Sequence, residues 1–150
     1  MIWSTEWRNI AKDGFCAQWI PNTRKHWGKG EWDEEPDVVS WIDSDTSLPC
    51  ITRRNREGAW CGYVRLEDSP AWIKEAKDFK VHGGVTWTDR WPTEPDGFLI
   101  GFDCAHPWDV APDPAPRRPT TFKFSYRNLA YVIEQTHILA LQIFEKIEMR

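Results

Sequence analysis

The sequence predicts an α+β fold: a small antiparallel sheet built from two β-hairpins, packed by a long C-terminal helix and preceded by an irregular Trp-rich segment. Three observations carry that expectation. Between residues 49 and 106, two pairs of short runs rich in strand formers flank turn residues. From about Tyr126 to Lys146, apolar residues recur at helical spacing. Between the two lie Pro107, Pro112, Pro114, Pro116 and Pro119, which exclude regular structure there. A chain of 150 residues is about one domain and buries roughly two thirds of its unfolded surface, so neither cofactor nor disulfide is needed to hold it. We therefore read 1–150 as a single domain with four segments, 1–48, 49–106, 107–119 and 125–148.

In the first segment Trp3, Trp7 and Ile10 are spaced for a short helix, and Val38-Val39-Ser40-Trp41-Ile42 reads as a strand. Arg24-Lys25-His26 and Asp33-Glu34-Glu35 read as solvated loop faces without a chemical role. Next, Cys50 to Arg54 and Ala59 to Val64 form a hairpin that turns at Asn55-Arg56, which places Cys50 and Cys61 opposite each other, able to bridge under oxidation. Asp68-Ser69-Pro70 starts a short helix carrying Trp72, Ile73 and Ala76 and ending before Lys80. Val81 to Thr88 and Phe98 to Cys104 make the second hairpin around a loop at 91–97. In the terminal helix Leu129, Val132, Ile133, Thr136, Ala140, Ile143, Phe144 and Ile147 form the packing stripe. Ile138, Leu139 and Leu141 lie on another face, an excess of apolar surface that suggests self-association through this helix.

Composition narrows the function classes. A net charge of −4 argues against a protein that coats duplex nucleic acid, because phosphate neutralisation dominates such binding. No run is long and apolar enough to span a membrane, and the start lacks a secretory pattern, so a cytoplasmic protein is expected. The four cysteines form no C-x-x-C pair, which disfavours a zinc ribbon or a thioredoxin-type motif. Eleven tryptophans are far above the usual share; most are expected in the core, the rest as flat stacking surfaces.

Two motifs carry the candidate chemistry, His82-Gly83-Gly84-Val85-Thr86 and Gly101-Phe102-Asp103-Cys104-Ala105-His106. Strand alternation puts His82, Gly84 and Thr86 on one face, and a register setting His82 opposite Asp103 and Gly84 opposite Gly101 joins the two polar sets. Glycines let backbone N–H groups approach a phosphate closely, since no Cβ intervenes. Thr86, His82 and His106 can donate, Arg53 and Arg54 supply charge, and Tyr63, Trp87, Trp108 or Trp60 can stack on a base.

Taken with Pro49-Cys50, Arg53-Arg54-Asn55, Cys61-Gly62-Tyr63-Val64 and the Tyr131-Val132 helix, these motifs resemble, in the same order, a widespread family of small phage-encoded hypothetical proteins. The resemblance covers about residues 49 to 145. It departs at Glu67-Asp68-Ser69-Pro70, where the family carries a Gly-His-Pro-type turn, and the Trp-rich first 48 residues have no counterpart in it. It implies an accessory product acting in an infected bacterial cytoplasm. One role fitting such a protein is a sponge that sequesters a small nucleotide-type immune signal uncleaved, with no metal or other cofactor.

Two rivals remain. An enzyme, a metal- or His/Cys-dependent nucleotide hydrolase, would draw on His82, Asp103, Cys104 and His106, with Asp109 and Asp113 as further carboxylates. A proteinaceous inhibitor would present exposed tryptophans to a host protein. The bland alternative is that His82 and Asp103 satisfy each other between strands.

Overall fold

A computed structural model describes residues 7–8, 14–113 and 125–149. It is α+β. Six strands form an antiparallel sheet: β1 (Cys16–Gln18), β2 (Val38–Ile42), β3 (Pro49–Arg54), β4 (Trp60–Leu66), β5 (Trp87–Trp91) and β6 (Glu94–Asp103), in the order β1-β2-β3-β4-β6-β5. A separate parallel pair joins β7 (Asp109–Val110) to β8 (Ser125–Tyr126), and the helix α1 spans Leu129–Glu148. Among the described residues no helix is long and apolar enough to cross a membrane.

The first hairpin forms where its turn chemistry places it. Asn55 accepts at its side-chain oxygen from the N–H groups of Glu57 (3.0 Å) and Ala59 (2.9 Å), while Gly58 takes the left-handed conformation at φ +87°. The resulting register pairs Cys50 with Val64 and Cys61 with Arg53. With a side-chain period of two, that sends the two thiols to opposite faces of the sheet. The expected Cys50–Cys61 opposition is therefore corrected; all four cysteines are free.

Alternation also sorts the core. Val39, Trp41, Cys50, Thr52, Trp60, Val64, Ile100 and Phe102 are buried on one face of the sheet, and α1 covers them with Leu129, Val132, Ile133, Thr136, Leu139, Ala140 and Ile143. Truncating one such Leu or Ile to Ala costs about 2–5 kcal/mol. Gly62 marks a close approach of helix and sheet: a Cβ there would lie 2.3 Å from Thr136 Oγ1 and 2.6 Å from Phe102. Leu139 joins this stripe and is fully buried, whereas Ile138 and Leu141 are exposed. The helix starts later than its periodicity suggests, because Asn128 caps it by accepting from Tyr131 N–H at 2.9 Å and Tyr126 belongs to β8.

The second hairpin departs most from expectation. β5 begins at Trp87, six residues later than the strand read from Val81, and pairs Trp87 with Gly101, Thr88 with Ile100 and Asp89 with Leu99. Asp103 pairs with Cys61 of β4, so the register that set His82 opposite Asp103 is overturned. Gly83 (φ +68°) and Gly84 (φ +83°) fold the motif into a turn closed by Gly84 N–H to Val81 C=O at 2.9 Å. The helix takes over the backbone groups a sheet would have used: Gln142 accepts from Lys80 N–H and Gln135 from His82 N–H, each at 2.8 Å. At the other end β6 runs back to Glu94 around the tight turn Pro92-Thr93, replacing the expected loop at 91–97.

Val38–Ile42 is a strand as read, and Ile73–Asp78 forms a 3-10 helix within the expected short helical segment. Of the expected N-terminal helix, Trp3 and Ile10 lie outside the described residues; Trp7 is buried edge-on to Phe15. The arm after His106 is partly regular, since Asp109–Val110 pairs with Ser125–Tyr126; Pro114, Pro116 and Pro119 lie outside the described residues.

The charged loop residues of the first segment are not all solvated. Glu35 is 1% exposed, where it accepts from Tyr126 O–H (2.5 Å), Arg54 (3.3 Å) and the Leu129 N–H of the helix start (2.6 Å). Its carboxylate so serves both an arginine and the positive end of α1. Arg24 pairs with Asp37 at 2.8 Å and donates to the carbonyls of Trp32 and Glu35.

Candidate functional site

Three elements converge beside the start of α1. The 81–86 turn brings His82 and Gly83, the end of β6 leads into His106, and β7 brings Asp109. Asp109, its side chain 1% exposed, is the centre. Its Oδ2 lies 3.0 Å from His82 Nε2 and 2.9 Å from His106 Nδ1, and accepts the His106 backbone N–H at 3.1 Å. Its Oδ1 accepts from Arg127 Nε at 3.0 Å. Four donors thus fill the accepting directions of one carboxylate. Burial pushes Asp109 up, but the hydrogen bonds from His82, His106 and Arg127 outweigh it, and the carboxyl is held well below the usual carboxylate range.

The second nitrogen of His82, Nδ1, lies 2.8 Å from the Tyr131 hydroxyl. In a neutral His82 the carboxylate fixes the proton on Nε2, so Tyr131 donates to Nδ1; a protonated ring donates at both ends. Burial raises Tyr131, Arg127 works against the rise, and the balance lies above the usual phenol value, so the hydroxyl keeps its proton at neutral pH. His106 stacks flat on Trp108, ring centres 4.8 Å apart and planes 7° off parallel, with Trp108 45% exposed. Gly83 makes the seat for His106: a Cβ there would lie 2.2 Å from its Cε1. Gly84 has open space around it.

Eleven residues singled out in the sequence fall into four places, and Trp60, the further stacking candidate, is fully buried in the core. His82, Gly83, His106 and Trp108 meet in this cluster, with Gly84 beside them. Thr86 donates to Asp103 Oδ2 at 2.9 Å, and Asp103 also accepts from Ala105 N–H, not from His82. On the sheet face away from α1, Tyr63 and Trp87 both pair with Gly101, and Tyr63 meets Trp91 edge-on. Arg53 stacks over Trp91 at 3.7 Å and Arg54 is held by Glu35, Asp37 and Tyr126; both line a cavity of about 400 Å³ with Thr23, Trp27, Asp37 and Arg56.

Arg127 and Tyr131 are the cluster residues the sequence reading did not assign to a site, and Asp109 entered it only as a further carboxylate of the hydrolase alternative. The His106-x-x-Asp109 spacing and the Arg127/Tyr131 pair one turn apart were the signals available. Cys104, in contrast, is 2% exposed, and burial, with Asp109 near by, pushes its thiol far above the usual value. It is a protonated core group with no nucleophilic character.

A second cavity, about 560 Å³, lies on the sheet face away from α1 and is lined by residues including Cys16, Ser40, Ile51, Arg65, Trp91 and Leu99. Comparison with family models, curated proteins and solved structures gives no match for this chain.

Proposed function

We propose that this protein captures a small anionic ligand of the nucleotide type without cleaving it, in the 400 Å³ cavity beside the tip of the first hairpin. The observation that carries this reading is a charge inversion. On a chain of net charge −4, that concavity is lined by three guanidiniums, Arg53, Arg54 and Arg56, against two carboxylates, Asp37 in its wall and Glu35 behind it, both paired with Arg54. Such a local field attracts an anion whatever the overall sign. The volume lies in the range of small-ligand sites. Trp27 supplies an aromatic wall, and its buried Nε1 has no hydrogen-bond partner among the described residues. Asn55 and Thr23 add neutral polar groups suited to ribose or a base edge.

The phage resemblance gives this capacity a purpose, sequestration of a nucleotide immune signal in the host cytoplasm. Self-association belongs to the same reading, and Ile138 and Leu141, 37% and 42% exposed, are the helix positions it would use. The test is a thermal-shift screen against mono-, di- and cyclic nucleotides, repeated with Arg56→Ala, a substitution at an exposed residue. A stabilising nucleotide whose effect falls at least about tenfold in affinity in the variant supports the proposal, as loss of a charge-assisted contact is worth about 1.5–3 kcal/mol. Equal shifts in both proteins would place the ligand elsewhere.

A further inference from the structure

We infer that His82, His106 and Asp109 form a binding site for one divalent first-row transition ion. This goes beyond ligand capture and does not depend on it, because it uses none of the residues lining the arginine-rich cavity. Two imidazole nitrogens and one carboxylate oxygen converge, all within 4.8 Å of one another. Asp109 Oδ2 is the shared corner, 3.0 Å from His82 Nε2 and 2.9 Å from His106 Nδ1. Donors each about 2.1 Å from one ion stand about 3.0 Å apart at a right angle and about 3.4 Å apart at a tetrahedral angle. The two nitrogen–oxygen separations already match. The imidazole nitrogens close by at most roughly 1.4 Å to complete the set.

The surroundings are those of a ligand shell. Tyr131 holds the far nitrogen of His82, and when Nε2 is given to a metal the ring proton moves to Nδ1 and donates to the Tyr131 oxygen. Arg127 donates to Oδ1, while Oδ2, steadied by the His106 backbone N–H, is the oxygen that faces both rings. The His106 ring proton moves to Nε2, on the side of the ring away from Asp109. Two nitrogens and one oxygen select a borderline ion such as Zn²⁺, Co²⁺ or Fe²⁺ over Mg²⁺ or Ca²⁺, which prefer all-oxygen shells. Three protein donors leave at least one position for water or a ligand oxygen, the arrangement of an open site.

The test uses the full chain, stripped with a chelator and titrated with Co²⁺ and Zn²⁺. The expected result is one Co²⁺ per chain with visible ligand-field absorption, displaced by Zn²⁺, and no comparable binding of Mg²⁺. His106→Ala, which removes a donor, and Asp109→Asn, which trades the anionic oxygen for a neutral amide, each weaken binding by at least about a hundredfold, since changes in the outer shell alone cost about 10–100-fold. Arg127→Gln keeps all three donors and removes a competing positive charge, so it binds at least about tenfold tighter. That gain requires no disruptive change at a donor and separates a metal site from a purely structural ion-pair cluster. Absence of Co²⁺ binding in the folded wild-type protein overturns the inference. So does binding that is unchanged in His106→Ala and Asp109→Asn, or unimproved in Arg127→Gln.

Discussion

Alanine at Gly83 and alanine at Gly84 are adjacent, chemically identical changes with different expected consequences. Both residues hold positive φ, +68° and +83°, so each substitution imposes a left-handed alanine costing about 1–2 kcal/mol. At Gly84 nothing lies within 4 Å of the added carbon, and the cost ends there. At Gly83 the new Cβ would sit 2.2 Å from His106 Cε1, a separation no contact tolerates, so the ring must leave its place. Its hydrogen bond to Asp109 goes with it, worth about 1.5–3 kcal/mol for a charged partner. The expected totals are about 1–2 kcal/mol for Gly84→Ala and about 2.5–5 kcal/mol for Gly83→Ala. For a chain of this size they lower Tm by about 2–8 °C and about 5–20 °C respectively. Scanning calorimetry at neutral pH measures both, and Co²⁺ titration of the same samples reports the cluster directly: Gly84→Ala retains binding and Gly83→Ala loses it. Equal Tm losses with binding retained in both would refute the idea that Gly83 exists to seat His106.

Four further outcomes follow from the same geometry. Asp109→Asn destabilises by about 3–5 kcal/mol at neutral pH, the cost of breaking a buried charged network. Because the folded carboxyl titrates below its unfolded value near 3.9, this stability is complete above about pH 4 and lost as pH falls through the folded value. The gap between wild type and variant in pH-dependent urea melts therefore narrows in acid. Glu35→Gln leaves Arg54 and the α1 start underserved and lowers Tm by on the order of 10 °C, read by circular dichroism. Glu31 is pushed up to about 7, by burial and then by Glu35, so its ionisation opposes folding increasingly from about pH 4.5 to 7. Glu31→Gln accordingly stabilises the protein above about pH 7 and has little effect below about pH 4.5, a sign that parallel melts at the two ends check. Finally, a thiol reagent on the native protein modifies Cys16 alone, since Cys50, Cys61 and Cys104 are buried and burial pushes Cys61 up to about 11; full reaction of all four without denaturant would contradict the core described.

The legible parts of this chain were those where a local rule had no competitor. Asn55 and Gly58 dictate the first hairpin and the apolar spacing dictates α1; tertiary structure left both in place, with the helix start moved to the Asn128 cap. The 81–86 segment carried two contradictory signals, alternation suited to a strand and a Gly83-Gly84 pair suited to a turn. Gln135 and Gln142 settle the conflict by binding its backbone from the helix, more than fifty residues along the chain. No periodicity could announce that. Glu35 shows the same limit: in a run of three acids only one is drawn into the core, and its partners Arg54, Tyr126 and Leu129 are all distant in sequence. Half of the histidine cluster was therefore visible as motifs. Its centre, Asp109, lay within a stretch whose prolines argued for irregular structure.

Ligand capture is tested most directly by incubating the purified protein with a broad nucleotide panel, removing unbound material, denaturing the protein and identifying what is released by mass. One nucleotide class is expected, held in about equal amount to the protein and recovered intact, with retention lost in Arg56→Ala. Recovery of a cleaved product, or of nothing, would contradict capture without cleavage.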